Sequence, residues 1–174
     1  MMRYGIPKYR LPRRVLDQEI ARILDLGVKL ELNTTVKDIE EEKKAHCYDA
    51  VFLAVGAGMA KNAYIPGGDA KHMLDAVSVL RSMEGEEEPL LGRKVVVYGG
   101  GNTAIDAATQ AKRLGAEDVT LVYRRGVETM TATPVEQEWA QVNGVKIKHW
   151  AKPVQVESAD GAVSGVTFEY TTLA

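Results

Sequence analysis

From Lys94 the chain reads Lys-Val-Val-Val-Tyr-Gly-Gly-Gly-Asn-Thr-Ala, and at Val119 it resumes Val-Thr-Leu-Val-Tyr. No other stretch constrains the fold as tightly. Val95 to Tyr98, β-branched and closed by glycines, reads as a buried strand that leaves through a sharp turn. Asn102 to Leu114 follows with alanine at 104, 107, 108 and 111, a small-residue stripe at helical spacing, and Gly115 stands where that helix ends. Val119 to Tyr123 is a second buried-type strand. Strand, glycine turn, helix and strand in close succession make a βαβ unit, so the two strands lie parallel and need helices to cover them. Thr133-Pro134-Val135-Glu136 carries a capping box with proline at the first helical position, and its helix stops near Gly144. Val145 to Trp150 alternates like a third strand, and two more short strands flank Asp160-Gly161. The expected class is α/β: a Rossmann-like parallel sheet with helices on both faces.

Gly99, Gly101 and Ala104 fit the pattern G-x-G-x-x-A between strand and helix. Gly99 allows the sharp exit from the strand, Gly101 leaves room for a pyrophosphate against the backbone, and Ala104 keeps helix and strand close. The helix start offers free N–H groups and a positive dipole end. The simpler reading is a tight turn and nothing more. The in-register strand, helix and second strand favour a dinucleotide site made by Gly99, Gly100, Gly101, Asn102, Thr103 and Ala104. The end of the second strand then decides which dinucleotide. NAD sites place a carboxylate there and NADP sites an arginine. This chain has Tyr123-Arg124-Arg125, with Glu117 and Asp118 at the opposite end of the strand. Arg124 and Arg125 suit a 2′-phosphate, so NADP(H) is preferred over the plainer reading of a solvated strand exit. Tyr123 either stacks near the adenine or belongs to the core.

The first half is less regular. Leu16, Ile20, Ile23 and Leu24 recur at helical spacing, with Pro12 suited to the first turn and Gly27 to the end. Val28 to Leu32 alternates as a half-buried strand, Lys37 to Lys44 reads as a solvated hairpin tip or loop, and Ala50 to Val55 reads as a fully buried strand. Tyr64 to Asp69 is a turn or linker, Asp75 to Met83 a short helix with Asp75 as N-cap, and the acidic cluster Glu84 to Glu88 an exposed loop.

Composition narrows the function classes. Among 174 residues, 22 Lys and Arg face 24 Asp and Glu, a net charge of −2 that gives no reason to expect nucleic acid or an anionic membrane. The longest apolar run, Ala50 to Ala60, is about half the ~20 residues of a spanning helix. The N-terminus has no signal-peptide stretch and Cys47 is the single cysteine, which together point to the cytoplasm. One thiol excludes an internal disulfide, a CxxC pair and an iron–sulfur site built from this chain alone. Cys47 reads as a packed thiol. His46, His72 and His149 show no metal-ligand spacing, so no metal site is expected. Asp106 reads as structural, its charge complementing the dipole in the first turn of the nucleotide helix. Both ends are abrupt, as if the chain were cut from something longer.

The run Gly99-Gly-Gly-Asn-Thr-Ala-Ile-Asp-Ala-Ala108 followed by Tyr123-Arg-Arg125 resembles the NADPH-binding domain of the glutamate synthase small (β) subunit family. The flavoprotein subunits of NADPH–ferredoxin oxidoreductases and the amino-terminal part of dihydropyrimidine dehydrogenase belong to the same group. Arg3-Tyr-Gly-Ile-Pro-Lys-Tyr-Arg-Leu-Pro12 resembles the segment after the family's first flavin-domain motif. Tyr48 to Ala57 with Ile65-Pro-Gly-Gly-Asp69 resembles the crossover to the pyridine-nucleotide domain, where Gly56 and Gly58 either let backbone approach a flavin or serve a turn. After the arginines the family often has Met-Pro-Ala, whereas this chain has Met130-Thr-Ala132.

The resemblance implies a partial flavin-domain segment at 1–70 and an NADP(H)-binding domain at 71–174. It implies hydride transfer from NADPH to FAD in a full-length parent, with electrons passed on through iron–sulfur centres. The cofactors carry that chemistry, so no residue here is expected to be catalytic. The implied partners are the missing flavin domain and iron–sulfur region of the same protein, and a large subunit or ferredoxin as electron acceptor. This piece alone is expected to be inactive. The competing readings are a non-catalytic NADP-sensing or interaction module, and an NAD-dependent relative whose arginines face solvent.

Overall fold

The computed structural model describes residues 1–56, 64–83 and 91–172. The chain divides into two compact units, Met1–Arg10 with Ala60–Ala174, and Leu11–Met59.

In the larger unit, strands β1 (Lys94–Tyr98), β2 (Asp118–Val122) and β3 (Val145–Lys148) form a parallel sheet in the order β1-β2-β3. The register sets Val95 beside Val119 and Val119 beside Val145, and likewise Val97, Leu121 and Ile147 in line. These six residues share one face because side chains alternate along a strand. A helix at Asn102–Arg113 crosses that face against all three strands, and a second at Pro134–Val142 packs on the crossing helix and on β3. Ala104, Ala108 and Ala111 of the crossing helix are buried in the core with Ile105, Val119, Leu121 and Val145. The alanine stripe works by being small: it lets the helix axis approach the sheet closely while Ile105 fills the gap. The helices expected on both faces are found on one face among the described residues, and Val96 remains 48% exposed on the other.

The Pro134–Val142 helix starts as the sequence predicts, with a complete Thr133–Glu136 capping box. Asp75 likewise caps a helix at Ala76–Ser82 by accepting from the N–H groups of Val77 and Ser78. The two strands expected around Asp160-Gly161 run longer than anticipated. Strands β4 (Ala151–Ala159) and β5 (Ala162–Tyr170) pair as an antiparallel hairpin. Asp160 and Gly161 both have positive φ, 52° and 76°, the geometry a two-residue hairpin turn needs. The Pro66–Asp69 turn lies along this hairpin, where Val156 N–H donates to the Pro66 carbonyl at 2.8 Å.

The smaller unit departs from expectation. Its helix at Arg13–Leu24 forms with Pro12 as N-cap and Gly27 at positive φ beyond its end. Both expected strands are absent from it. Val28, Leu30 and Leu32 are 53–72% exposed, and Phe52 is 91% exposed. The apolar pattern is genuine, but a strand also needs a neighbour for its N–H and C=O groups, and neither segment is paired here. Lys37–Lys44, expected as a loop, instead holds a helix at Ile39–Ala45. Asp38 accepts from the N–H groups of Glu40 and Glu41, while Glu40, Glu41 and Glu42 precede Lys43 and Lys44 as the dipole favours. Cys47 follows at φ 54° and is exposed, so the expected packing of this thiol is not found. The strand that would have buried it does not form. Gly58 and the Glu84–Glu88 cluster lie outside the described residues.

Candidate functional site

The site is built where β1 and β2 end at the same edge of the sheet. After Tyr98 the chain leaves the sheet at Gly99, whose φ is 153° and whose N–H still donates to the Val122 carbonyl at 3.0 Å. A Cβ at Gly99 would lie 3.1 Å from the Ala104 Cβ, so the small pair at these positions is what lets helix and strand meet. Gly101 is the N-cap of the crossing helix, with extended backbone. Its carbonyl accepts from the N–H groups of Ala104 and Ile105 at 3.0 and 3.2 Å. The N–H groups of Asn102 and Thr103 find no backbone acceptor among the described residues, and both residues are exposed. Two donors at the positive end of a twelve-residue helix, beside an alanine-packed glycine turn, fit a pyrophosphate.

A loop closes one side of this turn. The N–H groups of Thr131 and Ala132 both donate to the Gly100 carbonyl, at 3.0 and 3.1 Å. A Cβ at Gly101 would lie 3.2 Å from the Thr131 Oγ1. Tyr123 is half-buried and belongs to this packing: a Cβ at Gly100 would fall 2.5 Å from its ring. Its hydroxyl donates to the Thr129 carbonyl at 2.9 Å. Of the two roles open to Tyr123, the structure favours the core. Gly100 is therefore required by the aromatic ring behind it. The sequence alone carried no signal for that, because the contact joins residues of two different connections, one after β1 and one after β2.

Arg124 and Arg125 follow β2 and are exposed. Their side chains make no ion pair among the described residues. The backbone beneath them is fixed. Tyr123 N–H donates to the Lys148 carbonyl, Ala151 N–H to the Tyr123 carbonyl and Trp150 N–H to the Arg125 carbonyl, at 2.9, 3.2 and 3.3 Å. Lys148, at the end of β3, adds a third cation to this edge and rests over the Tyr170 ring at 5.2 Å. Sequence reading missed it because a lysine at a strand end usually means only solvation. The register opposite Val122 is what brings it here. Glu117 and Asp118 sit at the far end of β2, where they pair with Arg93 and Lys146.

Asp106 lies one turn further along the helix than the sequence suggested. It is the fifth helical residue and is 4% exposed. Arg10 donates to both of its oxygens, at 3.0 and 2.8 Å, and also reaches Glu136. The Tyr9 hydroxyl donates to it at 3.1 Å, and the Arg113 guanidinium covers the Tyr9 ring at 4.7 Å. Burial raises the Asp106 carboxyl above its ordinary range, opposed by the Arg10 charge and by hydrogen bonds from Tyr9 and Arg10. Asp106 therefore anchors residues 9 and 10 to the nucleotide helix, a role in holding the fold together. Among the described residues no cluster of histidine, cysteine and carboxylates has metal-binding geometry, and no helix is long and apolar enough to cross a membrane.

A parallel sheet with a glycine turn and an open helix start at the strand ends defines an α/β protein of the Rossmann-like class. Residues 13–173 match the pyridine nucleotide-disulphide oxidoreductase family, and the chain belongs to it. It is 37% identical over 95% of its length to the β subunit of an NADP(+)-dependent formate dehydrogenase from Moorella thermoacetica. It is 32% identical over 99% of its length to the small chain of glutamate synthase [NADPH] from Escherichia coli K12. It is also 37% identical over 97% of its length to an NAD-dependent dihydropyrimidine dehydrogenase subunit of Salmonella typhimurium. The chain spans 24%, 39% and 40% of those three proteins, respectively.

Proposed function

We propose that this chain is the NADP(H)-binding part of an FAD- and iron–sulfur-linked oxidoreductase resembling the glutamate synthase small subunit, working in the cytoplasm. The observation that carries the reading is the shared edge: Gly99–Ala104 opens a phosphate cradle where β1 ends, and Arg124 and Arg125 follow the neighbouring strand. In the longer protein NADPH supplies a hydride that FAD accepts. This chain's residues bind and orient. The N–H groups of Asn102 and Thr103 hold the pyrophosphate, Gly101 lets it approach, and Arg124 and Arg125 hold the 2′-phosphate. Gly100 and Tyr123 shape the turn from behind. Residues 1–70 supply part of the flavin domain and 71–174 the nucleotide domain. The remaining flavin domain, the iron–sulfur region, and a large subunit or ferredoxin as acceptor are its partners.

An NAD-dependent alternative is favoured by one observation, the NAD-dependent Salmonella relative. Calorimetric titration with NADPH and with NADH decides between them. NADPH should bind more tightly, and Arg124→Ala should weaken it about ten- to hundredfold, the loss expected for a charge-assisted phosphate contact. Equal affinities that Arg124→Ala leaves unchanged would overturn the NADP assignment.

A further inference from the structure

The hairpin β4–β5 ends against the turn that carries the arginines. Thr171, the first residue after β5, donates its hydroxyl to the Arg124 carbonyl at 2.5 Å and its N–H to the Trp150 carbonyl at 2.9 Å. Trp150 has a positive φ of 59° and donates to the Arg125 carbonyl, so Thr171 grips both the turn and its backing residue. Tyr170, next to it, carries the Lys148 ammonium on its ring. Of the hydrogen bonds reaching the 123–125 backbone, those to Tyr123 and Arg125 come from main-chain groups. The bond to the Arg124 carbonyl comes from a side chain, and substitution can remove it alone.

We infer that Thr171 is a positioning residue for nucleotide choice: its hydroxyl fixes the Arg124–Arg125 peptide and so aims the two guanidinium groups at a 2′-phosphate. This rests on the NADP(H) reading of the same site. The physical reason lies in the arginine side chain, which is long and loses much rotamer freedom when it binds. Rotation of the 124–125 peptide would redirect both side chains at their root and spoil a paired grip on phosphate. NADH has no 2′-phosphate and is blind to that change. The glycine turn lies on a different connection and keeps its hold on the pyrophosphate.

The test compares Thr171→Val, which keeps the shape and removes the hydroxyl, with Thr171→Ser, which keeps the hydroxyl. Thermal melts confirm folding, and Thr171→Ala replaces the valine variant if that one unfolds. Titration of each with NADPH and NADH should show NADPH binding roughly two- to tenfold weaker in Thr171→Val, the effect of losing one neutral hydrogen bond. NADH binding should be unchanged, and Thr171→Ser should match the original chain. An equal loss for both nucleotides would make Thr171 merely structural and overturn the inference, as would no loss for either. Arg124→Ala separates the two levels. If it abolishes NADPH preference while Thr171→Val does not alter it, the inference alone fails. If Arg124→Ala has no effect, the NADP(H) reading fails with it.

Discussion

Val95–Tyr98 and Ala50–Val55 are nearly the same kind of sequence, short apolar runs closed by glycine, and they meet opposite fates. The first is hydrogen-bonded to β2 and sends Val95 and Val97 into the core. The second forms no strand, with Phe52 91% and Val55 90% exposed. Apolar patterning specifies which face a strand would bury, whereas pairing depends on what lies beside it. Val95–Tyr98 has β2 as its neighbour through a short crossover contained in the chain. Ala50–Val55 has none among the described residues, although it belongs to a chain that spans about a quarter of the Moorella protein.

The sharpest way to break this comparison is to damage the paired side. Leu121 is fully buried at the centre of the core. Leu121→Ala should cost about 2–5 kcal/mol, the range for large-to-small core changes. Chemical denaturation of the variant checks it. A loss below about 1 kcal/mol would mean that the sheet is not the stable half of the chain.

Next in size is the tie between Arg10 and the nucleotide helix. Arg10→Leu leaves the Asp106 carboxylate buried without its cation. Breaking a buried pair from one side costs about 3–5 kcal/mol, and because the Arg10 side chain is 30% exposed the expectation here is lower, about 1–3 kcal/mol. The variant should also be less sensitive to loss of Glu136, which shares the same guanidinium. A pH series adds a signature. Burial, followed by the Asp106 charge, raises the Tyr9 hydroxyl above its ordinary 10.0. Its contribution is then fully present below pH 10 and is lost as pH rises toward the folded value. Tyr9→Phe should flatten the fall in stability on the alkaline side of pH 10.

Smaller again is Thr133→Ala, which removes one half of a capping box. It should cost about 1 kcal/mol, seen as a modest drop in melting temperature. An unchanged melt would show that Pro134 alone starts the helix.

What was legible in the sequence follows from the range of the forces involved. The glycine turn, the alanine stripe, the Thr133 box and the Asp75 cap are local devices, and each was found at its expected residues. The helix at Ile39–Ala45 is local too, yet its polar sequence hid it, because Asp38 capping and charge order sustain it without an apolar stripe. Contacts between distant residues left no trace. Nothing near Gly100 announces the Tyr123 ring, nothing near Arg10 announces Asp106, and Thr171 lies 47 positions from the carbonyl it holds. The candidate residues of the glycine turn and the strand exit were thus readable in the sequence, and the contacts that support them were not.

The smallest expected effect is the most informative about Ala50–Val55. Phe52→Ser replaces a large apolar side chain that is 91% exposed, so in this chain it should change stability by no more than about 0.5 kcal/mol in either direction. The same substitution in Val97 would remove a core side chain, and the contrast between the two variants measures pairing directly. Sedimentation at rising concentration completes the test. Phe52, Leu53 and Val55 together present apolar surface of the kind that drives self-association, and Phe52→Ser should reduce any association that the unaltered chain shows. A destabilisation as large as that of Leu121→Ala would mean that Ala50–Val55 is covered in solution after all. The two apolar runs would then differ in their partners, with both of them paired.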